Sequence, residues 1–233
     1  MNKKLLMNNC NYNSLLPTQD GLVCWLDAFD LTSFEVGDIW NDRTSNGNNG
    51  VVKHNYLTPI INNGTVKGKS EINIPNITKN LTNYTVEVGY QDLKDGYWFG
   101  LWGNRSGDNG TSFYQTGDSF QAYPSLIAVP PTKTGVSGGK NYVSFTFDEN
   151  YTKIYHNGEL YYSQPKSVVG ITPSTANYLC VMGRKSNNPT DNTDTLADSR
   201  TSIWYFVRIY NKTLTEEEVL NNYNYELSLT RGE

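Results

Sequence analysis

Histidine and cysteine are scarce in this 233-residue chain, with two and three copies, and that scarcity removes whole classes of chemistry. Zinc sites built on Cys and His lack ligands. A Ser–His or Cys–His catalytic pair has only His54 and His156 to draw on. Cys10, Cys24 and Cys180 show neither metal spacing nor even pairing, so a disulfide framework is not expected. Cys24 and Cys180 instead sit in strand-like runs, as small buried apolar groups. Charge is thin as well: 18% of residues are Asp, Glu, Lys or Arg, against about 25% in an average globular protein. With a net charge of −4 and never more than two adjacent Lys or Arg, the chain lacks the basic stripe that nucleic-acid phosphates require. No apolar stretch approaches the roughly 18 residues of a membrane span. The start imitates a secretion signal only briefly, because Asn8-Asn9-Cys10-Asn11 follows Leu5-Leu6-Met7 directly. The expectation is a protein folded in a cytoplasm, with neither membrane nor nucleic acid as partner.

What the chain does have is Asn, Gly, Thr and Tyr. Asn and Gly supply turn conformations, and Tyr and Thr suit a pleated surface, so the composition favours strands over helices. Residues 1–20 lack periodicity and read as an N-terminal arm. Residues 21–233 read as one β-domain, since sandwiches of this size are routinely undivided. Leu22 to Asp27 is a mostly apolar strand. Tyr84 to Tyr90 alternates, with Val86, Val88 and Tyr90 inward. Tyr142 to Phe147 alternates too, with Val143, Phe145 and Phe147 inward. Turns at Asp148-Glu149-Asn150 and His156-Asn157-Gly158-Glu159 make 141–163 a three-stranded meander, because Asn-Gly accepts the positive φ of a type I′ turn. Further strands follow at 177–183 and 202–210. One short helix starts at Thr215, whose hydroxyl and Glu218 form a capping box, and ends near Asn222.

Four segments in fixed order carry a family likeness. They are Gly21-Leu-Val-Cys-Trp-Leu-Asp27, Trp40-Asn-Asp-Arg-Thr-Ser-Asn-Gly-Asn-Asn-Gly50, the meander Phe145-Thr-Phe-Asp148 to Lys153-Ile-Tyr-His-Asn-Gly-Glu-Leu160, and Val207-Arg-Ile-Tyr-Asn-Lys-Thr-Leu-Thr-Glu-Glu-Glu-Val219. Together they resemble the concanavalin A-like lectin/glucanase superfamily, in its laminin G-like branch. The resemblance implies an all-β, two-sheet antiparallel jelly-roll sandwich with one short C-terminal helix. It also implies a concave face or rim loops of the kind that bind glycans, sometimes with Ca²⁺, although such modules also serve in assembly.

Glycoside hydrolysis needs two carboxylates flanking the scissile bond. The superfamily's hydrolases carry a Glu-x-Asp-x-x-Glu pattern, which is absent here. Glu87 stands alone on its strand and Glu216 to Glu218 begin a helix, so the expectation is a non-enzymatic module. A glycan platform is expected along Tyr97-Trp98-Phe99-Gly100-Leu101-Trp102. If Tyr97, Phe99 and Leu101 face the core, then Trp98 and Trp102 face outward, with Asn104, Arg105, Asp108 and Asn109 in the adjoining loop and Tyr114 on the next run. The competing reading is a strand buried on both faces with its tryptophans packed. Asp191, Asn192, Asp194 and Asp198, or Asp42, Asn46 and Asn48, are candidate ligands for a structural calcium, but they match no defined loop and are ordinary turn formers.

The composition and the short start suit a bacteriophage virion protein in a baseplate, tail fibre or capsid decoration. In that reading the sandwich binds host cell-surface polysaccharide and residues 1–20 dock onto other virion proteins, with a second copy of the chain as a further candidate partner. The alternative is a structural virion subunit without a glycan site.

Overall fold

Alternating apolar and polar residues punctuated by Asn and Gly become strands and turns in the computed structural model, which describes residues 16–55, 57–93, 98–104, 110–116, 119–123, 127–128, 139–169, 174–182 and 201–231. The strands are β1 (Leu22–Asp27), β2 (Ile39–Trp40), β3 (Gly50–Asn55), β4 (Ile60–Asn62), β5 (Thr65–Gly68), β6 (Ser70–Pro75), β7 (Tyr84–Asp92) and β8 (Trp98–Gly103). After them come β9 (Ser112–Thr116), β10 (Ser119–Tyr123), β11 (Ile127–Ala128), β12 (Lys140–Phe147), β13 (Tyr151–His156), β14 (Glu159–Pro165), β15 (Tyr178–Val181) and β16 (Ser202–Tyr210). The described α-helices are α1 (Lys166–Val169), a single turn absent from the sequence expectation, and α2 (Glu216–Ser228), and a 3₁₀ turn spans Ala28–Asp30. None is long and apolar enough to cross a membrane.

Two antiparallel sheets face each other, as expected. The first runs β14-β13-β12-β7-β16-β5-β4. Its β16 offers one edge to β7 and shares the other between β5 and β1. The second runs β11-β10-β9-β8-β15-β6-β3-β2. Period-2 alternation sends Val86, Val88 and Tyr90 of β7 and Val143, Phe145 and Phe147 of β12 into the space between the sheets. There they meet Ile72, Ile74, Trp102, Phe113, Phe120 and Trp204. Cys24 and Cys180 are both buried thiols. The meander forms as expected, with Asn157 and Gly158 both at positive φ (52° and 80°) in its second turn.

The capping box at Thr215 and Glu218 is present, but α2 continues past Asn222 to Ser228. Val219, Asn222, Tyr225 and Glu226 form its buried stripe. Two of these four are polar, so apolar periodicity could not reveal the last turns. They are held by tertiary hydrogen bonds. Of the expected N-terminal arm, residues 1–15 lie outside the described residues. Its end is tied to α2, where the Thr18 N–H donates to Asn222 Oδ1 at 2.6 Å.

Candidate functional site

The expected platform on β8 depends on regular alternation, and β8 is not regular. Its pairing with β9 shifts register between Gly100 and Trp102, so one extra residue on β8 reverses the parity. Trp102 therefore points into the core. It is fully buried, stacked on Phe113 at 5.1 Å and edge-on to Phe145 and Phe147 at 5.9 Å each. That corrects the expectation of Trp102 as an exposed plate. Tyr114 and Asn104 are buried as well. Asn104 closes the base of its loop: Nδ2 donates to Thr78 Oγ1, and Oδ1 accepts the Thr111 N–H, both at 2.9 Å. Arg105, Asp108, Asn109 and the side chain of Trp98 lie outside the described residues. Gly100 was the available warning, because a glycine inside a strand often marks a bulge.

The loop after β2 has an internal purpose. Asp42 Oδ1 accepts the N–H groups of Trp25 and Thr44, and Oδ2 accepts the Thr44 hydroxyl and the Asn48 N–H, at 2.7–2.9 Å. Asn46 and Asn48 donate through Nδ2 to the Val23 carbonyl. With four donors on one carboxylate, the lone pairs a cation would need are taken. Asp191, Asn192, Asp194 and Asp198 lie outside the described residues. Among the described residues, no group of three or more His, Cys, Asp or Glu is placed to hold a metal ion.

A different constellation forms on the outer face of the first sheet. The same alternation that buries Val86, Val143 and Val207 turns Glu87, Tyr142, Ser144 and Arg208 away from the core, beneath α2. With Phe206, the turn at Gly158, and Val219, Asn222, Tyr223 and Glu226 of α2, they line a narrow cleft enclosing ≈ 10 Å³, about one water molecule. The floor is a chain of charges. Arg208, fully buried, reaches Glu87 Oε2 through Nη1 at 3.4 Å and Glu226 Oε1 through Nη2. Glu226 Oε2 accepts from Arg231 Nη2 at 2.9 Å, and Arg231 Nη1 continues to Asp27 Oδ1 at 2.9 Å. Glu87 also accepts from the Ser144 hydroxyl at 2.7 Å and from Asn222 Nδ2 at 2.9 Å.

Tyr142 and Tyr223, both half-buried, stand at the cleft with ring centroids 5.6 Å apart and planes at 60°. Tyr142 also lies nearly parallel to Phe206 at 6.1 Å. The ring of Tyr223 packs on Gly158, where an added Cβ would sit 2.8 Å from it. Burial pushes the Tyr142 phenol up to about 12, and the Glu226 carboxylate adds to the rise, so Tyr142 is a hydroxyl donor at neutral pH. Burial also holds the Glu87 carboxyl above its usual range, outweighing Arg208, Ser144 and Asn222. For Arg208, burial opposes the charge but Glu226, Tyr210 and Glu87 together raise its affinity for the proton.

The Glu87 shift has a checkable sign. A carboxyl raised in the folded state supports folding fully below its unfolded value, about 4.3, and loses that support as pH rises through the folded value. Glu87→Gln keeps the shape without the titration. Its melting temperature relative to wild type is therefore expected to increase from pH 4 to pH 8 in thermal melts. A constant offset, or a wild-type advantage that grows toward neutral pH, contradicts this account.

Sequence reading missed the cleft because its parts are far apart: Arg208 and Glu87 are separated by 121 residues and Arg231 and Asp27 by 204. A signal existed all the same. Arg208 is the lone charge in the aromatic run of β16, and Glu87 the lone charge in the middle of β7. Buried charges need partners, so each implied an opposite charge covering that face.

No protein-family model matches the sequence, and no curated protein matches it. Solved structures do share the fold. Trypanosoma rangeli sialidase with 2,3-difluorosialic acid, a covalent intermediate, superposes with a TM-score of 0.66 at 17% identity, over 91% of this chain and 34% of that one. The same sialidase in complex with sialic acid gives 0.66 at 16% identity over the same shares. The binding domain of botulinum neurotoxin serotype D gives 0.57 at 15% identity, over 90% of this chain and 52% of that one. The chain thus spans about a third of the sialidase's length. The expectation of a non-enzymatic module is corrected by these matches: chains sharing the architecture include enzymes, so the sandwich gives no ground for excluding catalysis. Glu87 is also no longer alone, since Arg208 gathers it with Glu226. What the comparisons establish is the fold alone, a two-sheet β-sandwich.

Proposed function

We propose that this chain is a lectin-like module that binds cell-surface glycans, and that the sugar rests against the two tyrosines at the mouth of the cleft between the first sheet and α2. One observation carries the reading: two half-buried tyrosine rings stand over polar groups fixed in place by their own hydrogen bonds. Sugars present both an apolar C–H face and a ring of hydroxyls, which match an aromatic plate beside preorganised donors and acceptors. The enclosed space is ≈ 10 Å³, room for about one water molecule, so a terminal sugar would rest against the rim tyrosines rather than enter. The finer setting we propose is a bacteriophage virion attaching to host polysaccharide, a reading supported by the Asn- and Tyr-rich, weakly charged composition.

The test is saturable binding of the purified protein to isolated bacterial wall polysaccharides, with Tyr223→Ala and Trp98→Ala alongside. Binding weakened at least about tenfold by Tyr223→Ala, the order expected of an interface anchor, in a protein that still melts cooperatively, supports the cleft. Loss in Trp98→Ala alone moves the site to the β8–β9 end with Arg105, Asp108 and Asn109. Absence of binding to every polysaccharide favours a structural subunit.

A further inference from the structure

We infer that the narrow cleft between the first sheet and α2 is a binding site for one structural water molecule, held by the Nε–H of Arg208. Such a water is present whether or not a sugar rests on the rim tyrosines. Two observations point to it, one of space and one of an unmet donor.

The space is small and polar. It encloses ≈ 10 Å³, the lower end of what admits one water and too little for any larger ligand. Glu87, Tyr142, Ser144, Arg208 and Asn222 all line it. Empty cavities in proteins are apolar, whereas polar ones offering several hydrogen-bond partners hold water.

The unmet donor belongs to Arg208, which is fully buried. Its Nη1 reaches Glu87 and its Nη2 reaches Glu226. Among the described residues, its Nε has no hydrogen-bond partner. A buried N–H without an acceptor is destabilising, and more so on a charged group. The guanidinium is planar, so Nε–H lies in the plane that already meets Glu87 and Glu226, both of which line the cleft.

A water that accepts from Nε has two hydrogens left to donate. Glu87 Oε1 takes the Ser144 hydroxyl at 2.7 Å and keeps a second lone pair for one of them. The Ser144 oxygen, whose own hydrogen goes to Glu87, can accept the other. The water thereby joins β16 to β7 and β12 without changing any charge. A bridge of this kind is nearly as good as a direct hydrogen bond, and one enclosed molecule does not screen the ion pairs as bulk solvent would. An anion fits the same place poorly, because two carboxylates line it and a buried like charge lacks compensation.

The first test is a crystal structure of the full chain at a resolution that shows ordered solvent. Density for one oxygen is expected in the cleft, within hydrogen-bond distance of Arg208 Nε. The second test is in solution, on the isotope-labelled full chain by NMR. The Arg208 Nε–H should show a cross-peak to water with the sign of a complex that outlives molecular tumbling. Tyr223→Ala, which removes the ring packed on Gly158 at the cleft, should shorten the residence and move the cross-peak toward the sign of surface water. Both wild-type measurements stand even if that variant fails to fold. Nε bonded directly to a protein oxygen, or no density beside it, overturns the inference. Density that refines as an anion does the same. A wild-type cross-peak with the sign of surface water also overturns it, by showing the donor open to solvent. A cross-peak that a folded Tyr223→Ala leaves unmoved places the water outside the cleft and overturns the site.

Discussion

Arg208→Met is expected to destabilise the protein by about 3–5 kcal/mol, the cost of removing one partner from a buried ion pair. Arg208 is fully enclosed and joins Glu87 on β7 to Glu226 on α2. Methionine fills much of the same volume but leaves two carboxylates buried with one fewer cation. Glu226 keeps Arg231, whereas Glu87 keeps neutral partners, among them Ser144 and Asn222. The midpoint of urea unfolding should fall while the slope stays near wild type. Adding Glu87→Gln to Arg208→Met removes the orphaned charge and should recover part of the loss, because the pair belongs to one network and its effects are not additive. A loss below about 1 kcal/mol in the single variant, the range of an exposed pair, would show that this face is wet and α2 loosely held.

Trp102→Ala is expected to cost about 3–5 kcal/mol, the usual price of emptying a large aromatic site in a core. Phe113, Phe145 and Phe147 all contact the indole and cannot collapse into the space together. Among the described residues the indole N–H has no hydrogen-bond partner, so Trp102→Phe forfeits no bond there and should be far milder than alanine. This pair of variants separates packing from recognition. If Trp102 were a sugar plate, alanine would abolish binding and leave the melting temperature unchanged; as a core residue, it lowers the melting temperature whether or not any glycan is bound. Thermal melts of both variants without ligand decide the matter.

Wherever a single strand's alternation was enough, the sequence was readable. Val86, Val88 and Tyr90 face inward because nothing interrupts their strand, and Asn157-Gly158 turns because both residues accept positive φ. Trp102 was misplaced because one extra residue inverts every side chain beyond it, and a bulge depends on the neighbouring strand rather than on local composition. The last turns of α2 and the cleft escaped for a related reason. Asn222 and Glu226 look like surface residues until Glu87, 135 positions before Asn222, is brought beneath them beside Arg208. Fold class follows from local pattern, whereas a site assembled from β7, β12, β16 and α2 exists only once tertiary structure does.

The position of β16 has a consequence for how the molecule is made. Both edges of this strand are used, by β7 on one side and by β1 and β5 on the other. During synthesis the ribosome delivers β1, β5 and β7 first, and they wait with open edges until residues 202–210 emerge. The first sheet therefore cannot close while the chain is being translated through its middle, and α2, which seals the charged face, arrives later still. Long-range pairing of this kind folds slowly and leaves strand edges available to neighbours. A nascent chain stalled before β16 is thus the form most exposed to aggregation and to holding chaperones, and emergence of β16 and α2 is the event that commits it to the native sandwich.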